Sequence, residues 1–147
     1  DFVVTKGALS RIIKMELYLG DQLVDRYHGD GLIFSTPTGS TGYSLSAGGP
    51  IVYPAMDLCI VAPICPHSLI ARPIIFSPEH GLTVRMDSNN APAMLTVDGQ
   101  NGVELKKGDR IEIGMAEHDT CLIVLENRNF FAVLREKLRG VQDETGR

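Results

Sequence analysis

The sequence predicts a mainly β fold: an antiparallel β-sandwich of many short strands, with one short internal helix and a C-terminal helix. Short apolar runs separated by turn residues follow one another along most of the chain, a pattern typical of a sandwich or barrel and not of a parallel βαβ sheet. The pairs Gly20-Asp21 and Asp98-Gly99 stand between such runs as hairpin turns. With 147 residues, 44% hydrophobic and 22% charged, the chain fits one globular domain with its own core.

The predicted strands are apolar or alternating runs bounded by Gly, Pro and Asp. In chain order they are DFVV, MELYL, QLVDRY, LIF, LCIVA, PIIFS, LTVRM, MLTV, VEL, RIEIGM and TCLIVL. MELYL and QLVDRY flank Gly20-Asp21 and predict a hairpin, because a Gly-X loop suits the right-handed twist of the strands. LCIVA at 58–62 and PIIFS at 73–77 are bounded by Pro and predict buried strands.

Two stretches depart from the β pattern and predict helices. Thr41 to Ala47 predicts a short helix that Gly48-Gly49 ends. NFFAVLREKLRG predicts the C-terminal helix over about residues 129–139, with Asn129 as its cap and Gly140 after its last turn. Its apolar residues recur at helical spacing and share one face.

Composition excludes several classes of function. The net charge is -4 and no basic run follows the chain, so no nucleic-acid partner is predicted. No apolar run approaches the roughly 20 residues of a membrane span, so no membrane association is predicted. Cys59, Cys65 and Cys121 do not pair evenly, which indicates reduced thiols in a cytoplasmic protein. Cys65 and His67 lack further ligands at suitable spacing, so no metal site is predicted.

The segment DGLIFSTPTGSTGYSLSAGGP gathers small residues, hydroxyls and one aromatic ring. Its glycines let backbone N–H groups approach a ligand, and its hydroxyls both donate and accept hydrogen bonds. Tyr43 adds a flat face and a polar handle. These groups suit a nucleoside, but the same residues also make a Ser/Thr-rich turn that holds its own short helix. The residue types alone leave both interpretations open.

The longer stretch DGLIFSTPTGSTGYSLSAGGPIVYP strongly resembles the central motif of the NAD kinases. CPHSLIARPIIF, the DGQ at 98–100 and FFAVLREKL resemble further segments of that family, so the resemblance covers essentially the whole chain. It implies phosphorylation of NAD at the 2′-hydroxyl of its adenosine ribose to give NADP, with ATP or polyphosphate as donor and Mg²⁺ on the donor phosphates.

The resemblance also implies site residues. Thr41, Gly42 and Ser46 are expected to contact the adenosine half of NAD, and Tyr43 to pack against the nucleotide. Gly42 stands where many members of the family have Ala.

Three further residues are implied at other parts of the nucleotide. Asp30 is expected to reach a ribose hydroxyl of the nicotinamide half, and in the family this residue tends to come from a neighbouring subunit. Cys65 falls in the loop that lines the nicotinamide pocket. Asp1 resembles the second member of an Asn-Glu or Asn-Asp pair that touches the nucleotide.

One motif of the family does not occur in this chain. NAD kinases carry GGDG in an N-terminal α/β domain, and its Asp is assigned the catalytic role. We therefore interpret residues 1–147 as the C-terminal NAD-binding domain alone, a piece of a longer protein with no catalytic residue of its own. It is expected to be inactive without the N-terminal domain and to form a homodimer or homotetramer.

Two other functions remain alternatives. The chain could be a non-catalytic nucleotide-binding or oligomerisation module. It could also be a lipid kinase domain of the diacylglycerol type, a class with a related fold, although the STPTGSTGY–SAGGP run resembles NAD kinases much better.

Overall fold

A computed structural model of the chain describes residues 1–7, 11–77, 79–87, 92–121, 123 and 129–143. The chain divides into two units, Asp1–Met115 and Ala116–Arg147. The described part of the first unit is built of β-strands with two short helical turns between the fourth and fifth strands. The described part of the second contains one α-helix.

The strands of the first unit form two antiparallel sheets. In chain order they are β1 (Phe2–Lys6), β2 (Ile13–Leu19), β3 (Gln22–Gly29), β4 (Gly31–Ser35), β5 (Cys59–Ile64), β6 (Ile74–Phe76), β7 (Leu82–Met86), β8 (Ala93–Val97), β9 (Gln100–Leu105) and β10 (Arg110–Ile113). The larger sheet has the order β6-β5-β4-β1-β8-β9, and the smaller sheet has the order β10-β7-β2-β3. The predicted antiparallel sandwich is confirmed.

The main core lies between the two sheets. Side chains alternate along each strand, so every second residue points inward and packs against the facing sheet. The larger sheet contributes Val4 and Phe34 to this core, and the smaller sheet contributes Leu17 and Val84. A second, smaller cluster lies on the outer face of the larger sheet and contains Val3, Ile33 and Ala62. The central strands of the larger sheet are therefore buried on both faces.

The hairpin turns have the backbone that the sequence predicts. Gly20 has a φ of +55°, and Asp98 and Gly99 have φ values of +47° and +69°. Positive φ at both central residues defines a type I′ turn, which matches the twist of β8 and β9. The predicted strand TCLIVL includes 122 and 124–125, which lie outside the described residues.

The internal helix differs from the prediction. A single helix from Thr41 to Ala47 was expected, but a 3-10 helix at Thr38–Thr41 is followed by a short α-helix, α1, at Tyr43–Ser46. The two are separated at Gly42, whose ψ of -134° is not helical. A continuous helix was wrong because the glycine lets the backbone turn between them.

The C-terminal helix, α2, runs over Phe130–Asp143. The Asn129 side chain caps it, because its Oδ1 accepts a hydrogen bond of 2.9 Å from the N–H of Phe131. The predicted end at Gly140 is wrong, since glycine inside a helix costs only about 1 kcal/mol relative to alanine and the chain continues helically past it. In the part of the chain that the structure describes, no helix combines the length and apolarity needed to cross a membrane.

Tyr27 on β3 carries an unpaired hydroxyl in the core. The residue is 3% exposed, and among the described residues its hydroxyl has no hydrogen-bond partner. Burial, with a smaller contribution from the Asp25 carboxylate, raises the pKa of the Tyr27 phenol to about 12. The unfolded chain ionises first, near pH 10, so the fold loses stability as the pH rises from about 10 towards the folded-state pKa.

We expect Tyr27→Phe to keep or raise the free energy of unfolding near neutral pH, because it removes an unpaired buried hydroxyl. The same variant should lose less stability than the wild type above about pH 10. Urea unfolding at neutral and alkaline pH measures both effects. A loss of more than about 1 kcal/mol near neutral pH would show that the hydroxyl has a partner after all.

Candidate functional site

A groove of about 420 Å³ lies on the outer face of the larger sheet. Its floor is formed by β1 and β8, where Val3 pairs directly with Thr96. Its walls are Tyr43 at the start of α1 and the Asp98-Gly99 turn. The volume falls within the roughly 300–1,000 Å³ of ligand pockets.

The wall at Tyr43 is set by close backbone packing. A Cβ at Gly42 would lie 3.2 Å from the carbonyl oxygen of Gly39 and 3.8 Å from the Asp1 carboxylate. The absence of a side chain therefore lets α1 begin close to Gly39, while Asp1 lies at ordinary contact distance. Tyr43 itself is 46% exposed, so much of its ring is available for a flat ligand. The structure thus brings Asp1, Gly42 and Tyr43 together at one end of the groove.

Several hydroxyls of the Ser/Thr-rich segment hold the turn instead of facing solvent. Ser40 is fully buried, and its hydroxyl accepts a hydrogen bond of 3.0 Å from the N–H of Val52. The buried Ser35 hydroxyl donates to the carbonyl of Thr36, whose own hydroxyl accepts from the N–H of Gly39 at 3.2 Å. For Ser35 and Ser40 the structure favours the second of the two interpretations left open by the sequence, because these hydroxyls bond to backbone groups of their own segment.

We expect Ser40→Ala to lower the free energy of unfolding by about 1–3 kcal/mol, because the buried N–H of Val52 would lose its acceptor. Urea unfolding measures the loss. The matched change is Ser46→Ala, at an exposed serine six residues along the same segment, which should stay within about 0.5 kcal/mol. Equal losses in the two variants would contradict an anchoring role for Ser40.

Thr41 and Ser46 lie on either side of Tyr43 but do not line the groove. Both residues are exposed. The Thr41 hydroxyl donates a long hydrogen bond of 3.5 Å to the carbonyl of Thr38.

Asp30 lies at the other end of β1. It is the one residue between β3 and β4, where the chain crosses from the smaller sheet to the larger. Its carboxylate is 3.0 Å from Nζ of Lys6, and each of these side chains is one third exposed. The residues on either side of Asp30 must be glycines, because a side chain would clash with neighbouring backbone. A Cβ at Gly29 would lie 2.9 Å from the carbonyl oxygen of Ile64, and one at Gly31 would overlap Val4.

Cys65 shares the end of the sheet with Asp30. A Cβ at Gly29 would lie 3.0 Å from the carbonyl oxygen of Cys65, and the Cys65 thiol is exposed. Asp1 and Asp30 lie at opposite ends of β1, about 16 Å apart at 3.3 Å per residue. The seven predicted site residues therefore fall into two groups, and Asp30 and Cys65, at the Lys6 end of β1, do not line the groove.

The groove also contains residues that the sequence analysis did not assign to it: Val3, Thr5 and Thr96. Asp98, which the sequence analysis treated as a turn residue, lines the groove and also forms the turn. The alternation of side chains along β1 could have indicated Val3 and Thr5, because Asp1, Val3 and Thr5 are spaced by two and share a face. The pairing that brings Thr96 beside Val3 had no local signal.

The charge of the groove is acidic. Asp1 and Asp98 carry its carboxylates, and among the described residues that line it there is no lysine or arginine. Ionised carboxylates only accept hydrogen bonds, so they favour ligand amino groups and hydroxyls and disfavour phosphate. Within the described residues, no group of three or more His, Cys, Asp and Glu side chains is arranged to hold a metal ion.

A family profile and the sequences of individual proteins both match this chain, and both belong to NAD kinases. The profile of the family described as the ATP-NAD kinase C-terminal domain matches residues 1–125. An NAD kinase of Geobacter sulfurreducens is 50% identical over 139 residues, which cover 95% of this chain and 49% of that protein. The chain therefore spans about half the length of the curated relatives it matches.

Two solved structures are similar in fold and sequence. The structure of an NAD kinase from Archaeoglobus fulgidus in complex with ATP has a TM-score of 0.81 and 32% identity, covering 94% of this chain and 52% of that one. The structure of yeast NADH kinase complexed with NADH has a TM-score of 0.82 and 30% identity, covering 94% of this chain and 43% of that one.

Proposed function

The chain belongs to the ATP-NAD kinase C-terminal domain family, and on that premise we propose that it is the NAD-binding domain of an enzyme that phosphorylates NAD to NADP. The phosphoryl group of ATP or polyphosphate is transferred to the 2′-hydroxyl of the adenosine ribose. The relatives with solved structures include one bound to ATP and one bound to NADH, which supports a nucleotide substrate.

The groove with Tyr43 as its wall is the observation that carries this proposal. A half-exposed aromatic ring beside a groove of about 420 Å³ suits a flat nucleobase. The carboxylates of Asp1 and Asp98 accept hydrogen bonds from sugar hydroxyls or an amino group. Thr41, Gly42 and Ser46 are exposed neighbours of Tyr43 in the chain, and we propose that they contact the rest of the adenosine half.

Catalysis is proposed to need a second domain. Phosphoryl transfer depends on positioning, on Mg²⁺ at the donor phosphates and on a carboxylate that orients the attacking hydroxyl. The side chains that line the groove include no lysine or arginine, whereas a phosphate cradle would need positive charge. We therefore assign donor binding and the catalytic carboxylate to an N-terminal α/β domain of the same protein, with this chain as the NAD platform.

The position of Asp30 and Cys65 supports assembly into a homodimer or homotetramer. Asp30 and Cys65 do not line the groove of their own chain, so we propose that they complete the nicotinamide end of the groove in a second copy. The strand β5 does not need a partner subunit to cover it, because Ile60, Val61 and Ala62 are fully buried within the domain.

A better candidate contact surface is the loop after Cys65. Leu69 and Ile70 are 93% and 86% exposed. The Arg72 guanidinium donates to the carbonyls of Leu69 and Ala71 at 2.9 Å, which holds the loop in place. Light scattering tests the assembly: dimers or tetramers are expected, and a monomer at high concentration would contradict it.

A cytoplasmic location is proposed from the thiols. Cys59, Cys65 and Cys121 are free, as is usual where the cell keeps thiols reduced. Burial raises the pKa of the Cys59 thiol, which keeps it in the protonated, unreactive form.

Calorimetric titration of the chain with NAD tests the NAD platform. We expect saturable binding of NAD and no measurable binding of Mg·ATP. Tight binding of Mg·ATP would contradict the assignment of donor binding to the N-terminal domain. Binding of a diacylglycerol in place of NAD would support the lipid-kinase alternative.

A further inference from the structure

Two threonine hydroxyls on the groove floor have no partner in the described part of the chain. Thr5 on β1 and Thr96 on β8 are half-buried, and neither hydroxyl takes part in a hydrogen bond among the described residues. Thr96 lies opposite Val3 and Thr5 lies opposite Met94, so the two threonines are diagonal neighbours on the same face, at about 7–8 Å. Neither hydroxyl is among the fully buried polar atoms of the described residues, so both are open to the groove and available to a ligand.

The chemistry of the groove shows what these hydroxyls add. Asp1 and Asp98 only accept hydrogen bonds, whereas each threonine hydroxyl both donates and accepts. A nucleobase edge or a carboxamide carries acceptors as well as donors, so the carboxylates alone cannot satisfy it. Thr5 and Thr96 are the donors that the floor presents to such acceptors. The two side-chain charges of the groove, on Asp1 and Asp98, are both negative, which disfavours a phosphate there.

We propose that Thr5 and Thr96 hydrogen-bond a neutral nucleoside portion of the dinucleotide and thereby determine the specificity of the groove. This inference rests on the proposed NAD-binding function and adds the floor of the groove to it. The two hydroxyls contact the ligand edge from beneath, while Tyr43 contacts its face from the side.

Steady-state kinetics of the whole kinase that carries this chain tests whether Thr5 and Thr96 hydrogen-bond the dinucleotide. Thr96→Val and Thr5→Val keep the side-chain shape and remove the hydroxyl, so each should raise KM for NAD by roughly threefold to tenfold, the value of one hydrogen bond. KM for ATP should not change. Thr96→Ser and Thr5→Ser keep the hydroxyl and should restore KM for NAD. The matched control is Thr83→Val, at a half-buried threonine on β7 of the smaller sheet.

The outcomes separate the two proposals. If the wild type makes NADP and neither valine variant changes KM for NAD, the floor contact is wrong and the proposed function stands. If valine and serine variants raise KM for NAD equally, the threonines shape the floor without hydrogen-bonding, and the inference is also overturned. If the wild type neither binds NAD nor makes NADP, both the proposed function and the inference fall.

Discussion

Replacing Tyr43 by alanine is expected to raise the dissociation constant for NAD by roughly tenfold or more. The Tyr43 ring is 46% exposed and forms one wall of the groove, so the substitution removes a stacking surface. Stacking of one base on an aromatic ring contributes about 1–3 kcal/mol, and 1.4 kcal/mol corresponds to a factor of ten. Titration of the whole kinase with NAD measures the change, and the affinity for ATP should change little.

The matched variant is Tyr43→Phe, which keeps the ring and removes the hydroxyl. It should retain most of the affinity for NAD if the ring face is the main contact. Because the ring is half exposed, Tyr43→Ala should leave the free energy of unfolding nearly unchanged. If Tyr43→Ala instead unfolds the protein and the folded fraction binds NAD normally, the ring is a packing element and the segment around it is only a turn.

Replacing Gly31 by alanine is expected to destabilise the fold by about 3 kcal/mol or more, near the upper end of overpacking effects. A Cβ at Gly31 would overlap the carbonyl oxygen of Val4 and lie 3.1 Å from Cδ1 of Ile64. The oxygen belongs to the backbone of β1, so the clash moves a central strand of the larger sheet and cannot be relieved by a side-chain rotation. Urea unfolding of the chain measures the loss.

Gly114→Ala is the matched control for Gly31→Ala. Nothing lies within 4 Å of a Cβ at Gly114, and its φ is not in the left-handed region. The substitution should be neutral or slightly stabilising, because alanine reduces the entropy of the unfolded chain. A Gly31→Ala variant as stable as Gly114→Ala would mean that the packing of β4 against β1 tolerates a side chain and that Asp30 is not fixed by its glycines.

Much of the fold was predictable because its signals are local. Short apolar runs and turn pairs such as Asp98-Gly99 define the hairpins through the backbone conformations that they favour. The internal helix was only partly predictable, since Gly42 interrupts it and lets α1 begin close to Gly39. The end of α2 was misplaced because a glycine ends a helix only when the following residues leave the helical conformation.

The site was less predictable, because its floor depends on long-range pairing. Tyr43 could be identified from the motif that contains it. Thr96 could not, since only the pairing of β8 with β1 brings it beside Val3. The role of Ser40 depended on its bond to Val52, twelve residues along the chain, which the sequence pattern does not reveal. For the same reason the position of Asp30, which does not line the groove, became visible only with the order of the strands.

The most direct test of the account is NADP formation by this chain, measured alone and joined to an N-terminal α/β domain that carries GGDG, with NAD, ATP and Mg²⁺ supplied. The account predicts that the chain alone binds NAD and makes no NADP, and that the joined protein makes NADP. NADP formation by the chain alone would contradict the assignment of catalysis to the other domain. An inactive joined protein that does not bind NAD would contradict the proposed function itself.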